Sequence, residues 1–378
     1  MRMRRRLRIV AEVARDPKLY RLVLAFFGFT MAEWGTWVAI LVYAYGRGGA
    51  RAAGAAAAIQ LIPAGVIAPF GAFAGDRFRR DRVLFFCYLA LALTLGGTAA
   101  ALGADAPFAV VMLFATAALV SMGFARPTHR ALLPSVAHDP EELTAGNAVS
   151  SLAENAGIVV GPLLAGLILS AAGPALVFGV FAAAMFAGAL LVARLGSEAS
   201  VAGGERLRAA DVVRGSVAGF AYLSRERRAG LVVLVLAGGF VLSGALDVLY
   251  VAVAITLLGQ GPGWAGFLSS AAGVGGLVGA ALAVTLVGRR RLVPPLGGST
   301  LVLGGSVVAV GAAPAAATAP ALFGLSGMGA SIATVSGQTL LQRSAPDHLL
   351  SRVFGVLEGS SMLALAIGSV GASFVIEA

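Results

Sequence analysis

Charge is what this sequence has least of. Only 12% of its 378 residues are Asp, Glu, Lys or Arg, against about 25% in a soluble domain. Hydrophobic residues make up 58%, and the mean hydropathy is +0.89. That balance excludes a disordered chain and an ordinary soluble enzyme, and it leaves a polytopic membrane protein. A single cysteine, Cys87, excludes an internal disulfide and so a disulfide-stapled scaffold. Lysine is almost missing: Lys18 is the only one, and it follows Pro17. The Gly-Lys-Ser/Thr triplet of a phosphate-binding P-loop is therefore absent, and any uphill work draws on an ion gradient or a partner. The three histidines, His129, His138 and His348, fall in expected loops without a His-Glu-x-x-His pattern or a cysteine partner. No metal site and no cofactor are expected.

Long apolar runs are what the sequence does have. A bilayer crossing takes about 20 apolar residues at 1.5 Å each. That ruler yields eleven spans: 22–45, 55–75, 83–102, 107–125, 149–171, 175–193, 229–258, 264–287, 292–313, 319–341 and 353–376. Since lipid offers the backbone no hydrogen bonds, the expected fold is all-α. The basic start from Arg2 to Arg8 precedes a run too long for a signal peptide, so the first span is read as a retained helix. With the N-terminus in the cytoplasm, all of the 28 basic residues except Arg47 and Arg51 fall on the inner side. The net charge of +10 then reads as an orientation signal facing anionic lipid headgroups, not as a nucleic-acid surface.

A polar stretch divides the spans into six and five. The expected organisation is a basic arm (1–21), a six-helix half (22–194), a linker (195–228) whose part from Val212 to Arg228 reads as an amphipathic surface helix, and a second half (229–378) with five helices. The halves repeat. Residues 64–72 match 272–280 at five of nine positions, offset by 208, and Gly161 falls on Gly368, offset by 207. Parallel six-helix repeats are a transporter architecture. On that pattern the counterpart of the sixth span would lie beyond Ala378, so a twelfth helix is expected to be missing.

Three motifs carry a resemblance. Between spans two and three stands Asp76-Arg77-Phe78-Arg79-Arg80-Asp81-Arg82. Span four ends in Phe124-Ala-Arg126-Pro-Thr-His-Arg130-Ala-Leu-Leu-Pro134, followed by Asn147-Ala148. Span five carries Gly157-Ile-Val-Val-Gly161-Pro162-Leu-Leu-Ala165-Gly166. Together they resemble the major facilitator superfamily and, more narrowly, its enterobactin-exporter-like efflux branch. Two of the family's loop glycines are replaced here, by Ala72 and Arg79. The resemblance implies that Asp76, Arg77, Arg80 and Arg82 stabilise one conformation by pairing across the halves, an aspartate beside a helix start gaining from its dipole. It also implies that Gly157, Gly161 and Pro162 belong to an antiporter motif, with export as the direction. Small residues at this spacing let helix backbones approach closely.

Four carboxylates lie within spans, where an acid is costly: Glu33, Glu154, Asp247 and Glu358. Glu33 is 12 residues past Arg21, about 18 Å along a helix and near the midplane. Asp247 sits ~10 Å farther toward the outer side, which argues against a direct pair with Glu33. Glu33 is read as the main proton-binding group, because removal from water favours the neutral form of a carboxylate. Trp37, four residues on, shares its face. Glu154 and Glu358 fall near the cytoplasmic ends of their spans, where pairing with Arg126 or Arg352 reads equally as a gate or as a plain ion pair. Gln60 and Gln338 either offer hydrogen bonds to a substrate or knit helices together. The combined reading is a non-enzymatic, monomeric, bacterial inner-membrane transporter. It is expected to export a small amphipathic or hydrophobic molecule in exchange for protons. The alternative is the membrane sector of a sensor or ligand-regulated transporter.

Overall fold

A computed structural model describes residues 16–77, 79–136, 140–193, 195, 221–283, 286, 291–312, 315–344 and 347–376. The basic arm up to residue 15, the linker over 196–220, Phe78 and His138 lie outside the described residues. Among those described, regular structure is helical throughout, without a strand.

The first helix, α1, runs Pro17–Arg77. Asp16 caps it: its Oδ1 accepts from the backbone N–H of Lys18 (2.7 Å) and of Leu19 (3.0 Å). Pro17, with no N–H to satisfy, opens the helix. At 61 residues an unbroken helix would reach about 90 Å, three times a bilayer core. It is interrupted at Gly48 and Gly49, the latter at φ 62° in the left-handed region that glycine tolerates. Spans one and two are therefore two arms joined by a glycine break.

After α1 come α2 (Arg80–Gly103), α3 (Phe108–Val136), α4 (Pro140–Ala172) and α5 (Pro174–Val192). These are followed by α6 (Arg227–Ala252), which ends in a π-turn at Val253–Leu257, then α7 (Gly263–Ala283), α8 (Val293–Ala312), α9 (Ala319–Ser344) and α10 (Asp347–Ile376). Among the described residues ten stretches are long and apolar enough to cross a membrane, the first being the 51-residue Pro17–Ile67 that holds both arms. Large apolar side chains also point outward, Leu301, Val308 and Val375 each more than two-thirds exposed. In water such a surface would be a liability; facing lipid it is the rule. The chain is a multi-pass membrane protein.

By its contacts the chain forms two units, Met1–Ala39 with Val66–Glu205, and Ile40–Gly65 with Arg206–Ala378. Residues 40–65 of α1, on both sides of the glycine break, group with the second unit, where Gly54 lies against Ser369 and Ser373 of α10 and Gly65 against Met362. In the first unit, α2 packs along α5 and α3, over a core that includes Phe26, Phe29, Tyr88, Phe178 and Phe181. In the second, α9 packs along α7 and α8, and α10 along α6.

The glycine pair that aligns in the repeat has the same job twice. A Cβ on Gly161 of α4 would run into the Met31 backbone of α1, and a Cβ on Gly368 of α10 would run into the Val241 backbone of α6. In lipid, where apolar burial does not drive helices together, such backbone approach and the dispersion contacts it permits are the main attraction.

Candidate functional site

In the first unit, one arginine joins three helices. Arg126, on α3, donates from Nη2 to Glu33 Oε2 of α1 and from Nη1 to Glu154 Oε1 of α4. Arg130, one turn on, places Nη2 3.6 Å from the other oxygen of Glu154. The Arg126 guanidinium also lies near the Phe29 ring, 5.9 Å from its centroid. The side chains of Arg126, Glu33 and Glu154 are each about a quarter exposed, whereas that of Arg130 is 65% exposed. The inner cluster thus holds two carboxylates around one guanidinium, and the second arginine stands mostly outside it.

The sequence builds this cluster through the approach of α4 to α1. Gly157 faces Thr30, and Gly161 faces the Met31 backbone. The Thr30 hydroxyl donates to Phe27 O at 3.0 Å and reaches Ala153 O of α4 at 3.4 Å. Glu154 is next to Ala153 and one turn before Gly157; Glu33 is one turn after Thr30. The same small residues that join the helices therefore bring the two acids to one arginine. The planar guanidinium suits this task, since its separate N–H groups can serve two acceptors at once. If one carboxylate took up a proton, its hold on Arg126 would weaken and Arg126 would remain with the other.

The remaining candidates are distributed as follows. Trp37 is half-buried, one turn beyond Glu33. Pro162 is buried inside α4, beside Gly161. In the second unit, Gln60 is buried and its Nε2 donates to Ala56 O of its own helix at 3.3 Å. Asp247 is half-buried on α6, and Tyr250 on the next turn meets Phe323 edge-on at 5.0 Å. Gln338 is half-buried on α9. Asp76 and Arg77 form the last turn of α1, and Glu358 lies within α10; the side chains of these three are outside the described residues. Since Asp76 ends a helix, the acid at a helix start is Asp81, in the first turn of α2, where Arg79 pairs with it at 2.9 Å. Arg80 is half-buried and Arg82 exposed.

Two placements correct the sequence expectation. The apolar run ends at Ala125, which put Arg126, His129 and Arg130 in a loop, yet α3 continues to Val136. All three are helical, with Arg126 held by acids from other helices instead of by water. His129 is only 1% exposed. Its ring stacks on Phe26 with centroids 3.9 Å apart, and its Nε2 is 3.2 Å from the Ser150 hydroxyl of α4. The spacing of 126, 129 and 130, one face of a helix, was the available signal. Among the described residues no group of three or more His, Cys, Asp or Glu side chains could hold a metal ion.

A search of curated protein sequences finds no match. Solved structures do match in fold. A mutant of the peptide transporter POT in complex with alafosfalin is similar at a TM-score of 0.72 and 16% identity, over 98% of this chain and 92% of that one. A bacterial homologue of the human lysosomal transporter Spinster, inward-facing and unoccupied, gives 0.72 at 15% identity, over 94% and 82%. A POT family transporter in complex with a thioalcohol-conjugated peptide gives 0.69 at 13%, over 94% and 90%. At these identities the likeness is one of fold alone. The Major Facilitator Superfamily model, however, matches residues 22–369, nearly the whole sequence. With its helical architecture and its transporter neighbours in fold, the chain belongs to the major facilitator superfamily, a family of membrane transporters and not of enzymes.

Proposed function

We propose that this protein is a proton-coupled secondary transporter of the bacterial inner membrane, with its N-terminus in the cytoplasm. It exports a small amphipathic or hydrophobic molecule in exchange for protons, by alternating access of the two halves. The observation that carries this reading is the sharing of Arg126 between Glu33 and Glu154. Glu33 has Arg126 as its ion partner, whereas Glu154 has Arg130 as well. A proton arriving at Glu33 neutralises it and loosens α1 from α3, while α3 and α4 stay joined through Glu154. Proton binding thereby changes which helices are tied together, as coupling requires. Efflux as the direction rests on the likeness of the Gly157–Gly166 segment to an antiporter motif.

The test is Glu33→Gln in proteoliposomes, with a chemically diverse compound panel and an imposed pH gradient. The amide keeps the shape and loses the titration. Gradient-driven flux is expected to fall at least tenfold (about 1.4 kcal/mol), while exchange without a gradient persists. Unchanged gradient-driven flux would remove Glu33 from the mechanism, and with it the proton-coupled reading.

A further inference from the structure

We propose that His129 is the positioning residue of the ion cluster: a neutral imidazole pinning α3 between α1 and α4, one turn from Arg126, so that a single guanidinium reaches both acids. This rests on the proton-coupled reading above.

Two layers of contact join the same three helices. In the upper layer Arg126 of α3 meets Glu33 of α1 and Glu154 of α4. In the lower layer His129 of α3 meets Phe26 of α1 and Ser150 of α4. Arg126 and His129 are three residues apart, Ser150 and Glu154 four, and Phe26 and Glu33 seven. On helices these separations are one turn, one turn and two turns along the same faces. Phe29, between Phe26 and Glu33, lies near the Arg126 guanidinium and links the layers. The Phe26–His129 stack is nearly parallel, at 9°, and Phe26, His129 and Ser150 are all buried.

The surroundings decide the charge state. The ionisable groups about the ring are Arg126 and Arg130 on its own helix, Glu154 one turn beyond Ser150 on α4, and Glu33 two turns beyond Phe26 on α1. The two acids are occupied by the arginines. A proton on His129 would add a third positive charge to α3 within two turns. It would also bury an N–H without an acceptor, because Nδ1 has no hydrogen-bond partner. The arrangement with least conflict is the tautomer in which Nε2–H donates to Ser150 Oγ and the Nδ1 lone pair is left unmet. In this arrangement the contacts around His129 accommodate the neutral ring. Its contribution is geometric: a flat ring thin enough to sit against Phe26, with one N–H for Ser150.

The test uses the full chain in proteoliposomes and reads the pH profile and KM of gradient-driven flux of the best-transported compound from the panel, beside the amount of folded protein. His129→Ala removes both contacts and frees α3 to shift. The half-maximal pH of flux is expected to shift by about one unit, since a displaced Arg126 no longer meets both acids. Arg126→Lys is expected to move the profile the same way, and the two changes together are expected to do no more than either alone. His129→Gln, which keeps a donor for Ser150, serves if the alanine variant does not fold. His129→Phe combined with Ser150→Ala keeps the stack on α1 without an orphaned hydroxyl and is expected to restore the profile only in part, the tie to α4 being lost. Variants at His129 that lower only the yield, with pH profile and KM unchanged, would overturn the proposal. So would additive shifts with Arg126→Lys. In either case a tenfold loss in Glu33→Gln would leave the proton-coupled reading standing, whereas no loss there removes that reading itself.

Discussion

Arg126→Ala is expected to abolish gradient-driven transport and to destabilise the protein, and the second effect should depend on pH in a definite direction. The substitution leaves Glu33 without its guanidinium and leaves Glu154 with Arg130 alone, at 3.6 Å. Removing one member of a buried ion pair costs roughly 3–5 kcal/mol. Here the three side chains are about a quarter exposed, and water compensates part of the loss, so about 2 kcal/mol is the reasonable scale. The penalty belongs to ionised carboxylates that have lost their partner. It is therefore largest at high pH and shrinks as the pH falls and the acids take up protons. Thermal unfolding of the purified protein across a pH series reads this directly. Adding Glu33→Gln to Arg126→Ala removes the orphaned charge, so the double variant should be more stable than Arg126→Ala while remaining unable to couple. Additive destabilisation in that cycle would show that Glu33 and Arg126 do not act as a pair.

The second large effect is expected at Gly161. Even the single methyl of Gly161→Ala would lie against the Met31 carbonyl and Cα. These are backbone atoms that cannot rotate away, so the cost is that of overpacking, typically about 1–3 kcal/mol. Gly161→Leu should prevent assembly of α4 on α1 altogether, and with it the meeting of Glu154 and Arg126. Gly368→Ala, against the Val241 backbone, is expected to behave like Gly161→Ala, since the two glycines make corresponding contacts in the two repeats. Gly123→Ala is the control: it is exposed on α3 with open space around it. There the gain in helix propensity, roughly 0.5–1 kcal/mol, should make it neutral or slightly stabilising. The yield of monodisperse protein and its unfolding temperature separate these outcomes. A harmless Gly161→Leu would mean that α1 and α4 do not pack as described.

Much of this molecule is legible from local composition. Lipid imposes long apolar runs, so the all-α membrane class and the crossings follow from hydropathy alone. The repeat is visible in the offset of Gly161 and Gly368, and Glu33 and Glu154 stand out because acids in apolar runs are rare. Pairing of Glu154 with Arg126 was among the readings open from sequence; what could not be read was that Glu33 meets the same arginine. An apolar window is a sum along one dimension, and it stops at the first arginine. That rule assigned Arg126, His129 and Arg130 to a loop, although α3 runs ten residues past Arg126 to Val136.

The reason is that a charge can stay within a helix when an acid from elsewhere in the chain compensates it, and the compensating acids lie 93 and 28 residues away. The same holds for His129, whose neutral state depends on Phe26 and Ser150 from two other helices. It holds too for residues 40–65 of α1, which group with the second unit, where small residues face α10. Local composition is enough to place this chain in a membrane and to mark the acids that are out of place there. That two of those acids share one arginine came from packing across helices, which converts a costly charge into a paired one.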